Sequence, residues 1–273
     1  MSVGFWTEVV DRADAALASG AMHSFECALE FVEDAGVEFV LRVATRFPKG
    51  ENAGGRTDTA PRLRSNPFAS PEPALVVRDR LTPTHRALLN KYSVLREHLL
   101  VVTRQFEEQK QALDERDFEA LAVCMEDAEV LAFYNGGTEA GASQKHKHLQ
   151  VVTLPLSPRH SVPMDVALEK PTPALPFRCA FTRLPAGQVS RPASMVSTYR
   201  ELHRAARLEF PQPYNLLVTH EWMLVVPRSR DRFQDISINS LAFAGSYFVR
   251  DAKHAHVIAS SKPMSVLASV AIP

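Results

Sequence analysis

Residues 155–176 carry six of the 19 prolines in the chain. No continuous helix or central strand tolerates that density, because each proline lacks an N–H and fixes its own φ. The segment therefore reads as a connector, with short apolar runs on either side. Ahead of it, Phe5, Val9, Val10, Ala13 and Leu17 recur at helical spacing and predict a helix over 5–18, and residues 26–32 continue that helical tendency. Residues 37–43 read as a strand, and the polar run rich in Gly, Arg and Thr up to about Ser65 reads as a loop. Runs at 74–77, 85–90 and 98–103 suggest adjacent antiparallel strands. Phe118, Leu121, Ala122, Met125, Ala128 and Leu131 predict a helix capped by Asp114 or Asp117, and 132–135 and 149–154 read as strands. Beyond the connector come a strand near 177–182, a helix over about 197–208 and a hairpin of 214–220 with 223–227. This order predicts an α+β fold on a largely antiparallel sheet. Its expected parts are 1–158 and 170–273, packed as one unit.

With 45% hydrophobic residues over 273 positions, the chain has enough apolar side chains for a substantial core. Lys plus Arg and Asp plus Glu balance at 31 each, so no global basic field exists to hold nucleic acid or an anionic membrane. Glu8, Asp11, Arg12 and Asp14 interrupt any secretory h-region near the start. No run approaches the roughly 20 apolar residues of a membrane span. Cys27, Cys124 and Cys179 are far apart, odd in number and without C-x-x-C spacing. They read as buried thiols in a reducing compartment, so the expected location is cytoplasmic.

The chemistry concentrates in residues 135–150, Asn-Gly-Gly-Thr-Glu-Ala-Gly-Ala-Ser-Gln-Lys-His-Lys-His-Leu-Gln. Gly136, Gly137 and Gly141 permit positive φ and close backbone approach, so that successive N–H groups could point at phosphoryl oxygens, and Ser143 and Gln144 add side-chain donors. His146 and His148 stand two apart in a strand-like segment and so share a face, which Gln150 extends. A neutral histidine offers an unprotonated ring nitrogen able to attack phosphorus. Two blander readings compete: a surface H-x-H pair, and two ligands of a zinc site whose remaining ligands come from elsewhere. The glycines are not a Walker loop, since no G-K-[ST] follows. His254-Ala-His256 repeats the spacing without the loop or the glutamine, and reads as structural.

H-x-H-x-Q after a Gly/Ser loop resembles the signature of the transferase branch of the histidine-triad superfamily, which includes galactose-1-phosphate uridylyltransferases. The blocks Asn66-Pro-Phe, Leu88-Leu-Asn-Lys-Tyr, the run 98–109, the run 135–150, Tyr214-Asn-Leu-Leu-Val-Thr, Trp222-Met-Leu-Val-Val-Pro-Arg and the run 236–246 extend the likeness to the diadenosine tetraphosphate phosphorylase (ATP adenylyltransferase) family, from about Val37 onward. The resemblance implies a histidine-triad-like fold. It also implies cleavage of diadenosine tetraphosphate by inorganic phosphate to ATP and ADP through an adenylylated histidine. His148 would then be the nucleophile, Gln150 would hold phosphoryl oxygens and His146 would orient the site. Asn135, Gly141, Ala142, Ser143 and Gln144 would line the phosphates, with Asn90 and Lys91 nearby. Lys49, Asn239, Ser240, Ser246 and Arg250 are further substrate-binding candidates. Read alone, Lys49 and Arg250 are solvated charges, Lys91 is a surface residue at a strand end, His98 is a packed strand histidine, and Asn239 or Ser240 caps a helix starting at Leu241. A divalent cation, Mg²⁺ by preference, is expected to arrive with the substrate phosphates, since no carboxylate cluster is visible to hold it. The chain departs from the family in its short proline-rich connector. Hydrolysis in place of phosphorolysis, and nucleotide sensing without turnover, stay open as alternatives.

Overall fold

The computed structural model describes residues 4–46, 66–169 and 175–273. Lys49 lies outside them. Helix α1 (Phe5–Ser19) forms where the apolar spacing predicts it and buries Phe5, Trp6, Val9, Ala13 and Ala16. The helical tendency of 26–32 does not prevail. These residues belong to β1 (Glu26–Asp34), paired antiparallel with β2 (Val37–Arg46). Ala35 and Gly36 between them take φ of 53° and 79°, the left-handed pair that a two-residue hairpin turn requires. That turn places Phe31 opposite Val40 and Val32 opposite Phe39, and such cross-strand pairs outweigh a weak helical period.

The main sheet contains β3 (Val76–Arg78), β4 (His85–Leu89), β5 (His98–Thr103), β6 (Val130–Gly136), β7 (His148–Thr153), β8 (Ala180–Arg183), β9 (Tyr214–Val218) and β10 (Trp222–Pro227). Its order is β8-β10-β9-β6-β7-β5-β4-β3, and every neighbouring pair is antiparallel. The expected α+β class on a largely antiparallel sheet is the one observed. Part of the run at 74–77 differs: residues Pro73–Leu75 form a 3₁₀ turn, and the strand starts at Val76. Strand β9, from beyond the proline-rich connector, lies against β6 from before it. A smaller sheet adds β11 (Ser246–Val249) parallel to β2.

Alternation gives the main sheet two different faces. On one, Ala87, Leu99, Val101, Leu149, Ala132, Leu216 and Val225 pack under α1, α2 (Glu115–Cys124) and α4 (Pro192–Ala205). On the other, Phe133, Leu217, Trp222 and Leu224 meet the small sheet and the helices α5 (Ser240–Phe243), α6 (Ala252–Ser261) and α7 (Pro263–Val270). A short α3 (Asp165–Leu168) lies within the connector and adds Leu168 to this second core. Helix α2 opens with a capping box of Asp114 and Asp117 but ends at Cys124. Leu131, expected on its stripe, instead pairs with Val152 in β6, where the two flanking strands bury it. Helix α4 begins earlier than expected because Pro192 occupies its first turn, where the missing N–H costs nothing. No helix among the described residues is long and apolar enough to cross a membrane.

One buried ion group couples the two faces. Between His146 and His148, the side chain of Lys147 points to the helical face. Its Nζ lies 2.7 Å from Asp117 Oδ2 and 3.2 Å from Glu107 Oε2, and it donates to Ala112 O. Asp117 Oδ1 also takes His85 Nε2 at 3.1 Å. Removing one partner of a buried pair leaves the other charge uncompensated. Lys147→Met should therefore lower unfolding stability by about 3–5 kcal/mol in urea titrations. Combining it with Asp117→Asn should cost less than the sum of the two single changes.

Candidate active site

His148 opens β7, with its ring on the face opposite the helices and 4% of the residue exposed. Its Nδ1 lies 2.8 Å from the carbonyl oxygen of His146. A carbonyl only accepts, so Nδ1 carries the proton and Nε2 keeps the lone pair. Nε2 has no hydrogen bond among the described residues. Burial pushes the His148 pKa down to about 4, against smaller opposing and reinforcing effects from the His146 carbonyl and ring. The ring is thus neutral at physiological pH with one defined basic nitrogen.

His146 precedes β7, bridged to Glu108, and both its ring nitrogens are committed to protein. Asn66 Nδ2 donates to its Nδ1 at 2.8 Å, and its Nε2–H reaches the Thr103 carbonyl at 2.8 Å and the Gln105 carbonyl at 3.1 Å. Phe68 packs on both rings, with centroid separations of 5.8 Å to His146 and 5.1 Å to His148. His146 contributes its backbone oxygen to the partner histidine, and its ring serves as a fixed wall.

Two primary amides flank His148, each pinned through its oxygen. Gln150 Oε1 takes the Nε2–H of His98 at 2.8 Å, and His98 Nδ1 in turn accepts from Asn90 Nδ2 at 3.2 Å. Burial pushes His98 down to about 4 as well, which keeps it a neutral donor. Asn135 Oδ1 accepts from Asn215 Nδ2 at 2.9 Å, from the Ser240 N–H at 3.1 Å and from Ser240 Oγ at 2.7 Å. In both residues the oxygen is spoken for, so the NH₂ group is what remains to offer a ligand.

The β6–β7 ladder stops at Phe133 opposite Gln150. One step on, the Gln109 side chain lies between Asn135 and His148 in place of direct pairing. Its Nε2 donates to Asn135 O at 2.9 Å and His148 O at 3.1 Å, while its Oε1 accepts from His148 N at 2.8 Å. The wedge spaces the strands that carry His148 and Asn135 without leaving backbone groups unpaired.

The loop between these strands differs from the expectation that glycine N–H groups face outward. Residues Thr138–Ala140 form a 3₁₀ turn, and the Gly137, Ala140, Gly141 and Ala142 N–H groups bond carbonyls of residues 135–138. A turn this tight consumes its own donors. The N–H groups of Ser143 and Gln144 have no backbone acceptor among the described residues. Gly141, at φ 95°, faces Asn239 and the Ile238 carbonyl, which lie 3.0 Å from where a Cβ would stand. Only glycine fits there.

The structure thus gathers His146, His148, Gln150, Asn90, Asn135, Gly141, Asn239 and Ser240 around one region. Asn239 caps α5 by accepting from Leu241 N, whereas Ser240 spends its hydroxyl on Asn135. Ser143 is exposed, and Ala142 and Gln144 are half-buried. Lys91 pairs with Glu72 at 2.7 Å, Ser246 receives Arg42 Nε at 3.3 Å, and Arg250 meets Asp235 at 3.3 Å and His254 at 3.5 Å. His254 is buried on α6 beside Asp235, and in a helix residues two apart do not share a face, so the second H-x-H builds no comparable site.

Residues 2–170 match the family model described as the Ap4A phosphorylase N-terminal domain, and residues 173–273 match the ATP adenylyltransferase C-terminal domain. The chain belongs to the Ap4A phosphorylase family. As a member it is a nucleotidyltransferase. It is 30% identical over 224 residues to diadenosine 5′,5‴-P1,P4-tetraphosphate phosphorylase 2 of Saccharomyces cerevisiae, covering 68% of this chain and 69% of that protein. Protein APA1 of the same yeast is 27% identical over 222 residues, with the same coverage. Crystal structures of yeast Ap4A phosphorylase Apa2 share the fold. The complex with AMP has a TM-score of 0.82 at 23% identity, and that with Ap4A 0.81 at 24%; each comparison covers 100% of this chain and 99% of that one.

Against that family background, the residues that sequence reading passed over are informative. His98 was legible in principle, since strand alternation places it with Leu100 and Val102 on the His148 face. Gln109, Asn215, Asn66 and Phe68 lie in blocks that resemble the family, yet nothing in their spacing reveals a strand wedge or a ring clamp.

The low basicity of His98 and His148 has a sign that titration can check. Between about pH 6.5 and 4 the unfolded chain protonates these rings while the folded chain does not. Stability should therefore fall as pH drops through that window. Ring-proton NMR resonances of both residues should titrate near pH 4, and urea midpoints should decline in parallel. Titration of either ring near 6.5 would contradict the described burial.

Proposed function

We propose that this chain cleaves diadenosine 5′,5‴-P1,P4-tetraphosphate with inorganic phosphate, giving ATP and ADP. The observation that carries the reading is the state of His148: neutral, its proton held on Nδ1 by a backbone carbonyl, and its Nε2 lone pair without a hydrogen bond among the described residues. In the first step Nε2 attacks the α-phosphorus, a P–N bond forms, and the P–O bond to the departing ATP breaks. The Nδ1–H bond to His146 O steadies the positive charge that the ring acquires. In the second step a phosphate oxygen attacks the same phosphorus, the P–N bond breaks, and ADP leaves a neutral ring.

Phosphoryl transfer asks a protein mainly for position and charge stabilisation. Gln150 Nε2 and Asn135 Nδ2 take that part here, with Ser143 and Gln144 as further donors and Gly141 and Ala142 as backbone against the phosphates. Asn90 acts through His98, and Ser240 acts through Asn135. Lys49, Lys91, Asn239, Ser246 and Arg250 complete the proposed substrate contacts. A divalent cation, Mg²⁺ by its match to phosphate oxygens, would travel with the polyphosphate as part of the substrate. Among the described residues no group of three His, Cys, Asp or Glu could hold a metal, and no step here runs through one. A cytoplasmic location belongs to the same proposal, supported by three cysteines that are all free thiols.

Incubating the protein with diadenosine tetraphosphate, with and without phosphate, and resolving the nucleotides tests the reading. ATP plus ADP should appear only with phosphate. Without it, one equivalent of ATP should be released and the adenylyl group retained on the protein, visible by mass spectrometry. AMP plus ATP without phosphate would replace phosphorolysis by hydrolysis, and binding without turnover would leave a sensor. His148→Ala should lose roughly 10⁴-fold or more in rate, and full activity in that variant would sink the mechanism.

A further inference from the structure

Among the described residues two Lys or Arg side chains are almost wholly buried, each residue at 1% exposure: Lys147 and Arg228. Lys147 has two carboxylates beside it. Arg228 has none within salt-bridge distance among the described residues, and the acid that acts on it electrostatically, Asp231, does so only from further away. Its guanidinium instead makes hydrogen bonds to neutral acceptors. Nε reaches Val270 O at 3.1 Å, Nη2 reaches Arg230 O at 2.7 Å and Ile238 O at 2.9 Å, and Nη1 reaches Ala140 O at 3.3 Å and Asn215 Oδ1. A buried charge with satisfied protons but no counter-ion is costly unless something completes it.

Its partners point to what completes it. Ala140 and Ile238 adjoin Gly141 and Asn239, the two sides of the close approach in the loop. Asn215 also fixes a direction. Arginine only donates, so Asn215 must turn its oxygen to Arg228 and its NH₂ to Asn135 Oδ1 and Ala140 O, each at 2.9 Å. Asn135 must then turn its own NH₂ away from Asn215 and Ser240. The guanidinium thus acts together with the Ala140 carbonyl on Asn215 and with the Ser240 N–H on Asn135 to hold the two amides in one direction, and each amide is polarised by the group behind it.

We propose that Arg228 is a positioning residue for the reaction, whose countercharge is the phosphate chain of the substrate and whose positive field reaches that chain through Asn215 and Asn135. This rests on the reading of the site as a nucleotide phosphate cradle. Affinity should then depend on Arg228 in proportion to phosphate number and not on the nucleoside.

Calorimetric binding of adenosine, AMP, ADP and ATP to the full chain tests this, with Asn215→Asp as the main variant. The new carboxylate keeps the volume, pairs with Arg228 and removes the donor to Asn135. We expect thermal stability to hold or rise, adenosine affinity to stay the same, and ATP affinity to fall by about 10- to 100-fold, the equivalent of one charge-assisted hydrogen bond, with AMP losing less. Arg228→Lys should retain more ATP affinity than Arg228→Met. Equal losses for adenosine and ATP, or a loss that tracks a drop in melting temperature, would overturn the role given to Arg228. Wild-type affinity that does not rise with phosphate number would overturn the cradle reading, and the Arg228 proposal with it.

Discussion

The ammonium of Lys147, held between Asp117 and Glu107 under the sheet, is the contact on which the rest of the site depends. A strand shows its residues alternately to opposite sides, so fixing Lys147 downward commits the histidines on either side of it upward. Asp117 belongs to the capping box of α2 and also meets His85 on β4. One carboxylate therefore ties a helix start, an outer strand and the histidine strand together. A rigid element beneath a reactive side chain is what allows its ring to be placed to within a fraction of an ångström.

Above that anchor, rigidity comes from hydrogen bonds that use up the wrong options. His148 has given Nδ1 to a carbonyl, Gln150 its oxygen to His98, and Asn135 its oxygen to Asn215 and Ser240. What each group retains is the atom a phosphate needs: one lone pair and two NH₂ groups. Little reorganisation is left for the moment of reaction, and that is where electrostatic catalysis saves most of its free energy.

The sequence carried the outline of this arrangement unevenly. Strands such as 98–103 and 214–218 were legible because burial on both faces leaves continuous apolar runs bounded by polar turns. Residues 26–32, the first strand of the hairpin, read as helical because they carry scattered charges on an exposed side, which mimic a helical period, while the Ala35–Gly36 turn gives a weak local signal; the second strand, at 37–43, was legible. Within the site, His148 and Gln150 were visible as a local motif. The loop donors were misassigned because a 3₁₀ turn and an open glycine loop have the same composition. Gln109, Asn215 and Arg228 act across 39, 80 and 88 residues of sequence separation respectively, and no local pattern encodes a partner that distant.

The depressed basicity of His148 has a second side. A ring that is reluctant to hold a proton is equally reluctant to hold an adenylyl group, because a weak base departs readily. Burial therefore trims the strength of the attack while shortening the life of any covalent species that follows. A more exposed and more basic histidine would bind the nucleotide fragment more firmly and release it more slowly. Under the proposed mechanism, the depth at which this imidazole sits would act as a timer on how long the chain stays loaded between donor and acceptor.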